Sequence, residues 1–247
     1  MTFELKTHAL LRVRDTRDLR GEVPPAWVEG SLARAPWVVV RRALWRDGRV
    51  PVGVRGELRE QRFAAWVCVE DVLECVTPRE LVCRRAWRSV VDRARLAAIR
   101  ALAVLDEVEG VFDAHGLVTA WGPGGSVGFE LASAAMTVTP SSDLDLVIEV
   151  ERLDSFAPGA RALAEALAEL PVRVDALLET PGGAAVLSEY VRAYAEGGSF
   201  VLRTATGPRL ICAAAQMDAT ADGCGGRNCG DGRDLYGALL APMERSL

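Results

Sequence analysis

The segment Ser141-Ser142-Asp143-Leu144-Asp145-Leu146-Val147-Ile148 sets two carboxylates one apolar residue apart, at the entry to an apolar run. On a strand, residues i and i+2 face the same side, so Asp143 and Asp145 would stand side by side. Like charges so placed raise each other's pKa unless a cation lies between them. A hard divalent ion, Mg²⁺ or alternatively Mn²⁺, takes oxygen ligands of this kind together with substrate phosphates. A third acid, Asp175, interrupts the apolar stretch Val172-Arg173-Val174-Asp175-Ala176-Leu177-Leu178. If that strand lies beside the first, three carboxylates converge, a set suited to two metals bridging the attacking and leaving oxygens of a phosphoryl transfer. Taken by itself, a D-x-D pair more often marks two solvated acids on the polar face of an edge strand, and Asp175 and the glycine turn upstream are what favour the metal reading.

Upstream, Gly122-Pro123-Gly124-Gly125-Ser126 reads as a turn that closes one strand and opens a helix. Glycine admits close backbone approach, a helix N-terminus offers amide donors to an anion, and the Ser126 hydroxyl adds another donor, so Gly125 and Ser126 are candidate phosphate-binding residues. Two histidines, His8 and His115, lie outside any metal-ligand spacing. His8 is assigned a structural or substrate-orienting role, and His115, before Gly116, a place in a surface turn. Glu130 is expected to cap or to pair with an arginine. Trp121 is expected in the core, with stacking on a base as the alternative, and the other tryptophans are assigned mostly to core or domain contacts. Cys224 and Cys229 bracket four residues without a second ligand pair nearby, which argues against zinc.

The elements that must position these groups form an α+β pattern. Trp37 to Arg41 and Phe63 to Val69 read as strands around a Gly- and Arg-rich loop, Val50 to Arg62. After Thr77-Pro78 the pattern turns helical, with Leu96, Ile99, Leu102 and Leu105 recurring at spacings of three. From Leu117 onward strands and helices alternate: strands at Leu117 to Trp121, Met136 to Thr139, Leu144 to Val150 and Val172 to Leu178; helices from Val127, over Pro158 to Leu170 and Gly182 to Glu196; and a last pair of strands, Phe200 to Arg203 and Arg209 to Cys212. A strand-rich N-terminal domain, residues 1–85, is therefore followed by a helix-flanked sheet, residues 86–215, that carries the acids, with the change of pattern near residues 80–92. Residues 216–247, rich in Gly, Ala and Asp, show no sustained period and are expected to form a flexible tail.

Composition narrows the class. The 247 residues, half of them hydrophobic and 26% charged, are ordinary for a globular protein. A net charge of −5 lacks the basic field that drives general nucleic-acid binding. No apolar run reaches the roughly 18 residues of a membrane span, and Glu4, Lys6, Arg12, Arg14 and Asp15 break up the N-terminus, so neither a signal peptide nor an anchor is expected. Six cysteines without the density of a secreted disulfide scaffold fit a reducing cytoplasm. Lys6 is the only lysine among 29 cationic side chains, so an arginine here carries little information by its type alone.

A Gly-Ser turn into a helix, a D-x-D 17 residues after Ser126 and a strand Asp 30 residues after Asp145 together resemble the DNA polymerase beta-like nucleotidyltransferase superfamily. That resemblance implies a small mixed sheet flanked by helices, with metal on the three acids. The words APWVVVRRA, VPVGVRG, QRFAAW, AWGPGGSVGFELA, SSDLDLVIE, RVDALLETPGGAAVLSEY and LRTATGPRL, spanning about residues 8 to 211, are similar to the phosphoribosyl-dephospho-CoA transferase family of malonate decarboxylase, its holo-acyl-carrier-protein synthase. The family implies transfer of a prosthetic group from triphosphoribosyl-dephospho-CoA to a serine of the apo acyl carrier subunit, with release of pyrophosphate, and its essential acid pair falls on Asp143 and Asp145. Arg55, Arg59 and Arg62 would then meet the triphosphate or an acidic carrier through paired hydrogen bonds, a solvated surface being the alternative. The segment after Leu210 departs from the family by running on into CGGRNCGDGRD. The competing classes are another small-substrate nucleotidyltransferase and a non-catalytic carrier-binding module.

Overall fold

The computed structural model describes residues 5–58, 60–116 and 120–213. Arg59, Cys224, Cys229, the first three residues of the expected strand at Leu117, and the expected tail lie outside the described residues. Two six-stranded sheets organise the chain. The first contains β1 (Leu10–Arg12), β2 (Leu19–Arg20), β3 (Trp37–Val40), β4 (Arg49–Arg55), β5 (Arg62–Cys68) and β6 (Glu74–Val76), in the order β2-β5-β4-β3-β1-β6 and antiparallel throughout. Helix α1 (Ala26–Arg34) covers one face, where Val28 and Leu32 meet Val50, Val52, Val54 and Val67.

Of the stretch Val50 to Arg62, expected as a loop, residues 50–55 belong to β4 and Arg62 opens β5, so the connection begins only after Arg55. The Gly and Pro of the stretch suggested a turn, but Val50, Val52 and Val54 recur with the strand period of two and are all buried. Pro51 is tolerated because it lies one residue beyond the β3 ladder, which ends with Val40 opposite Val52.

Next come α2 (Pro78–Cys83), α3 (Arg93–Ala98), α4 (Arg100–Ala103) and α5 (Leu105–His115). The spacing of three between Leu96 and Leu105 is shorter than one helical turn, so a straight α-helix could not keep those side chains on one face. The backbone resets instead at Ile99, which is extended at φ −113°, ψ 110°, and Ile99, Leu102 and Leu105 all enter the core.

The second sheet follows: β7 (Ala120–Pro123), α6 (Gly125–Ser133), β8 (Leu144–Glu149), α7 (Leu153–Ala168), β9 (Val174–Thr180), β10 (Gly183–Val186), α8 (Leu187–Glu196), β11 (Ser199–Thr204) and β12 (Gly207–Cys212), in the order β12-β11-β10-β9-β8-β7. Only β8 and β9 run parallel, across the α7 crossover. Two expectations are corrected. Met136 to Thr139 joins no ladder, and the expected helix from Gly182 begins instead with a turn and the strand Gly183–Val186, which pairs with β9 before α8 starts.

Leu144, Leu146 and Ile148 point into a large core with Leu163, Leu178 and Tyr190. The same core takes in Leu10, Trp37 and Val76 from the first sheet, so the two sheets share apolar contacts. Trp87 and Trp121 are buried there, Trp121 stacked on Phe112 at 4.5 Å, whereas Trp45 is half exposed and no core residue. Among the described residues no helix is long and apolar enough to cross a membrane.

Candidate active site

The alternation that buries Leu144, Leu146 and Ile148 turns Asp145, Val147 and Glu149 to the opposite face of β8. In the parallel register Asp145 stands opposite Asp175, and Glu149 opposite Glu179. Asp143 precedes the strand by one residue and is half-buried. Burial, reinforced by the charges of Asp143 and Asp175, raises the Asp145 pKa, while Arg55 and His8 act in the other direction. Four charged or titratable groups, from both halves of the chain, thus act electrostatically on one carboxylate.

The glycine turn is built against that carboxylate. The Gly124 N–H donates to the backbone oxygen of Asp145 at 2.9 Å, fixing the start of α6 beside the start of β8. Gly125 has φ +53°, and a Cβ there would lie 1.7 Å from Asp145 Oδ2, so any other residue would displace that carboxylate. Ser126 follows as the second residue of α6, half-buried, placing its amide and hydroxyl in the first helical turn.

The opposite end of α6 is held by a buried ion pair. Arg95 donates to both oxygens of Glu130 at 2.6 and 2.8 Å and to the Val138 carbonyl at 2.7 Å. Glu130 also accepts from the amides of Thr137 and Val138, and the Thr137 hydroxyl donates to the Ser126 carbonyl at 2.9 Å. Burial would raise the Glu130 pKa, but Arg95 and the two amides more than offset it and hold it low. This brace lays residues 137–139 along α6. From there Thr139 and Ser142, each donating a backbone amide to the other, close the turn that delivers Asp143. Glu130 therefore pairs with arginine, as its helical position suggested.

Of the expected arginines, Arg55 and Arg62 are directly opposite each other on β4 and β5. Arg55 is half-buried; desolvation and the charge of Arg62 lower its pKa, and Asp145 opposes that fall. An arginine held at this cost within reach of a carboxylate cluster is suited to an incoming polyanion. His115 closes α5, its Nδ1 2.8 Å from the Val111 carbonyl.

Asp175 is brought to the register position expected, but its carboxylate is engaged by Arg173 at 3.1 and 3.2 Å. Among the described residues no three His, Cys, Asp or Glu side chains are gathered closely enough to hold a metal between them. The donor chemistry nevertheless suits a divalent cation at Asp143 and Asp145, since that charge would offset the burial and the Asp143 repulsion that raise the Asp145 pKa.

Spacing arguments miss a second group, because it forms between the sheets. His8, at φ +71°, brings Nε2 to 3.4 Å from Glu179, and Arg42 clamps the same carboxylate with both terminal nitrogens. Burial pushes the Glu179 pKa up, yet His8 and Arg42 prevail and hold it below the usual range. Beside them opens a cavity of about 840 Å³ bounded by Val147, Glu149 and Glu179 of the acid-bearing face. The run TPGG at 180–183, another wall of that cavity, was the available signal.

A mixed sheet that sets Asp145 and Asp175 on neighbouring strands beside a glycine turn has the oxygen donors and the helix start that suit a phosphate-bearing ligand. The chain matches the family models "Phosphoribosyl-dephospho-CoA transferase MdcG N-terminal domain" over residues 6–78 and "Phosphoribosyl-dephospho-CoA transferase MdcG C-terminal domain" over residues 88–214, and it belongs to that family. It is 39% identical over 188 residues to a phosphoribosyl-dephospho-CoA transferase of Azotobacter vinelandii, covering 76% of this chain and 84% of the relative. It is 36% identical over 208 residues to one of Klebsiella pneumoniae, covering 83% and 93%. No solved structure matches. The chain is accordingly a transferase.

Proposed function

We propose that this enzyme transfers the phosphoribosyl-dephospho-CoA group from triphosphoribosyl-dephospho-CoA to a serine of the malonate decarboxylase acyl carrier subunit, releasing pyrophosphate. The observation that supports the reading is the setting of Asp145 in a member of this family: Asp143, Asp175 and Arg55 act on its charge and the Gly125 turn packs against its carboxylate. In this reaction the carrier hydroxyl forms a bond to the α-phosphorus while the bond to the pyrophosphate oxygen breaks. Positioning and charge stabilisation do most of that work.

Asp143 and Asp145 would hold Mg²⁺ or Mn²⁺, with Asp175 as the third acid of the set. Such an ion, when bound, neutralises charge on the triphosphate and lowers the pKa of the attacking hydroxyl. Arg55 and Arg62 orient the triphosphate from the first sheet. The amides of Gly125 and Ser126 and the Ser126 hydroxyl receive the departing phosphates at the start of α6. The half-buried setting of Asp145 keeps these charges in a medium where they act more strongly than in bulk water.

Pyrophosphate release, followed with the full chain, Mg²⁺ and the apo carrier, tests the reading against its nearest rival. Turnover is expected with triphosphoribosyl-dephospho-CoA and not with ATP. Turnover with ATP and a small acceptor instead would make the chain a nucleotidyltransferase of different specificity.

A further inference from the structure

The 840 Å³ cavity lies on the same sheet face as the acids but does not include them. Its nearest wall residue on β8, Val147, is two residues from Asp145, about 7 Å along the strand. The volume falls in the range of a small-molecule site, roughly 300–1,000 Å³. Leu5, Pro78, Val147 and Pro181 give it apolar surface.

The charges within it are unevenly satisfied. Lys6 donates to Glu149 at 2.9 Å, and Arg42 holds Glu179 with His8, so two of the three carboxylates lining the cavity are already neutralised. Arg79, in the first turn of α2, and Arg209, on β12, line the same cavity and enter no ion pair among the described residues. Glu151 is the remaining acid, which leaves four cationic side chains against three carboxylates. The cavity therefore offers apolar walls, a net positive lining and two exposed arginines that no carboxylate among the described residues engages.

We infer that this cavity binds the dephospho-CoA portion of the donor, with Arg79 and Arg209 on the diphosphate that joins adenosine to pantetheine and the apolar walls against the adenine and pantetheine groups. The inference rests on the proposed transfer and assigns the part of the donor that does not react. Two negative charges on the diphosphate meet the two arginines, and the planar forks suit phosphate oxygens. In the donor two ribose rings separate this diphosphate from the reacting phosphorus. The run of β8 from Asp145 to Glu149, about 13 Å of strand, accommodates that separation.

The test is calorimetric titration of the full-length protein with dephospho-CoA, which carries the diphosphate and pantetheine but no triphosphoribosyl group. Arg79→Ala and Arg209→Ala should each weaken binding roughly tenfold, the loss of one charged hydrogen-bonding partner, and the double variant more. Asp145→Asn should bind dephospho-CoA as the wild type does. Absence of binding to the wild type, or a double variant within twofold of it, overturns the assignment. Carrier modification measured on the same preparations separates the two ideas. Transfer that proceeds with arginine-independent dephospho-CoA binding defeats the cavity assignment alone. Arginine-dependent binding without transfer defeats the proposed reaction and leaves the nucleotide cavity.

Discussion

Replacing Gly125 by alanine should remove catalysis while leaving the fold in place. The new Cβ would lie 1.7 Å from Asp145 Oδ2, against an ordinary contact beginning near 3.4 Å, so the carboxylate must retreat by roughly 1.7 Å. The obstacle is the end of a side chain, which can rotate away. Alanine at φ +53° adds about 1–2 kcal/mol of backbone strain. For a chain of this size that lowers the Tm by roughly 2–8 °C. A displacement of about 1 Å at a reacting centre costs on the order of 10²-fold, so kcat/KM should fall at least that far. Gly122→Ala is the contrasting variant, because its Cβ would meet the Pro78 carbonyl oxygen at 2.0 Å. There the neighbour is backbone, so β7 and α2 must separate, and the loss should appear in stability first. Thermal unfolding and steady-state kinetics on both variants decide the matter. A Gly125→Ala enzyme with near-normal kcat/KM would refute the argument that the turn and Asp145 form one site.

Asp145→Asn should lower the transfer rate about 10³-fold or more, from the several kcal/mol a bound metal contributes at the transition state, while raising the Tm at neutral pH. The folded state raises the Asp145 pKa, so the ionised form costs stability as pH climbs above the ordinary 3.8, and the gain from asparagine should vanish below that value in a pH series of unfolding curves. Arg95→Ala leaves Glu130 buried without its counter-ion, held by two backbone amides alone, and should cost about 3 kcal/mol in denaturant unfolding. Glu130 has a depressed pKa, so its contribution is present above the ordinary 4.5 and lost as pH falls through the lower folded value; Glu130→Gln should therefore flatten the acid limb of the stability profile. Arg55→Ala should raise the KM for the triphosphate donor more than it lowers the Tm, a comparison that binding and melting assays make directly.

Much of this arrangement is legible in the sequence because strands at the acids obey a simple period. Asp143 and Asp145 flank Leu144 with the alternation that a half-buried strand requires, and Asp175 interrupts an otherwise apolar strand. The register that sets Asp145 opposite Asp175 follows once α7 carries the chain across to a parallel neighbour. The contributions of His8, Arg42 and Glu179 were not legible, since they depend on how two sheets meet and 137 residues separate Arg42 from Glu179. The strand at Arg49–Arg55 was hidden by Gly53 and Pro51, although its valines carried the period. Spacing alone brought Asp175 to its neighbour but could not show that Arg173 holds its carboxylate. Nor could it show that Glu130, by gathering Thr137 and Val138, turns a stretch with strand-like composition into a brace for the loop before Asp143.

The most direct test of the proposed reaction is the intact mass of the malonate decarboxylase acyl carrier subunit after incubation with the enzyme, Mg²⁺ and triphosphoribosyl-dephospho-CoA, alongside an EDTA control. A gain equal to one phosphoribosyl-dephospho-CoA group, abolished by EDTA, is the predicted result. An unchanged carrier mass with folded enzyme, or full modification in EDTA, would contradict the account.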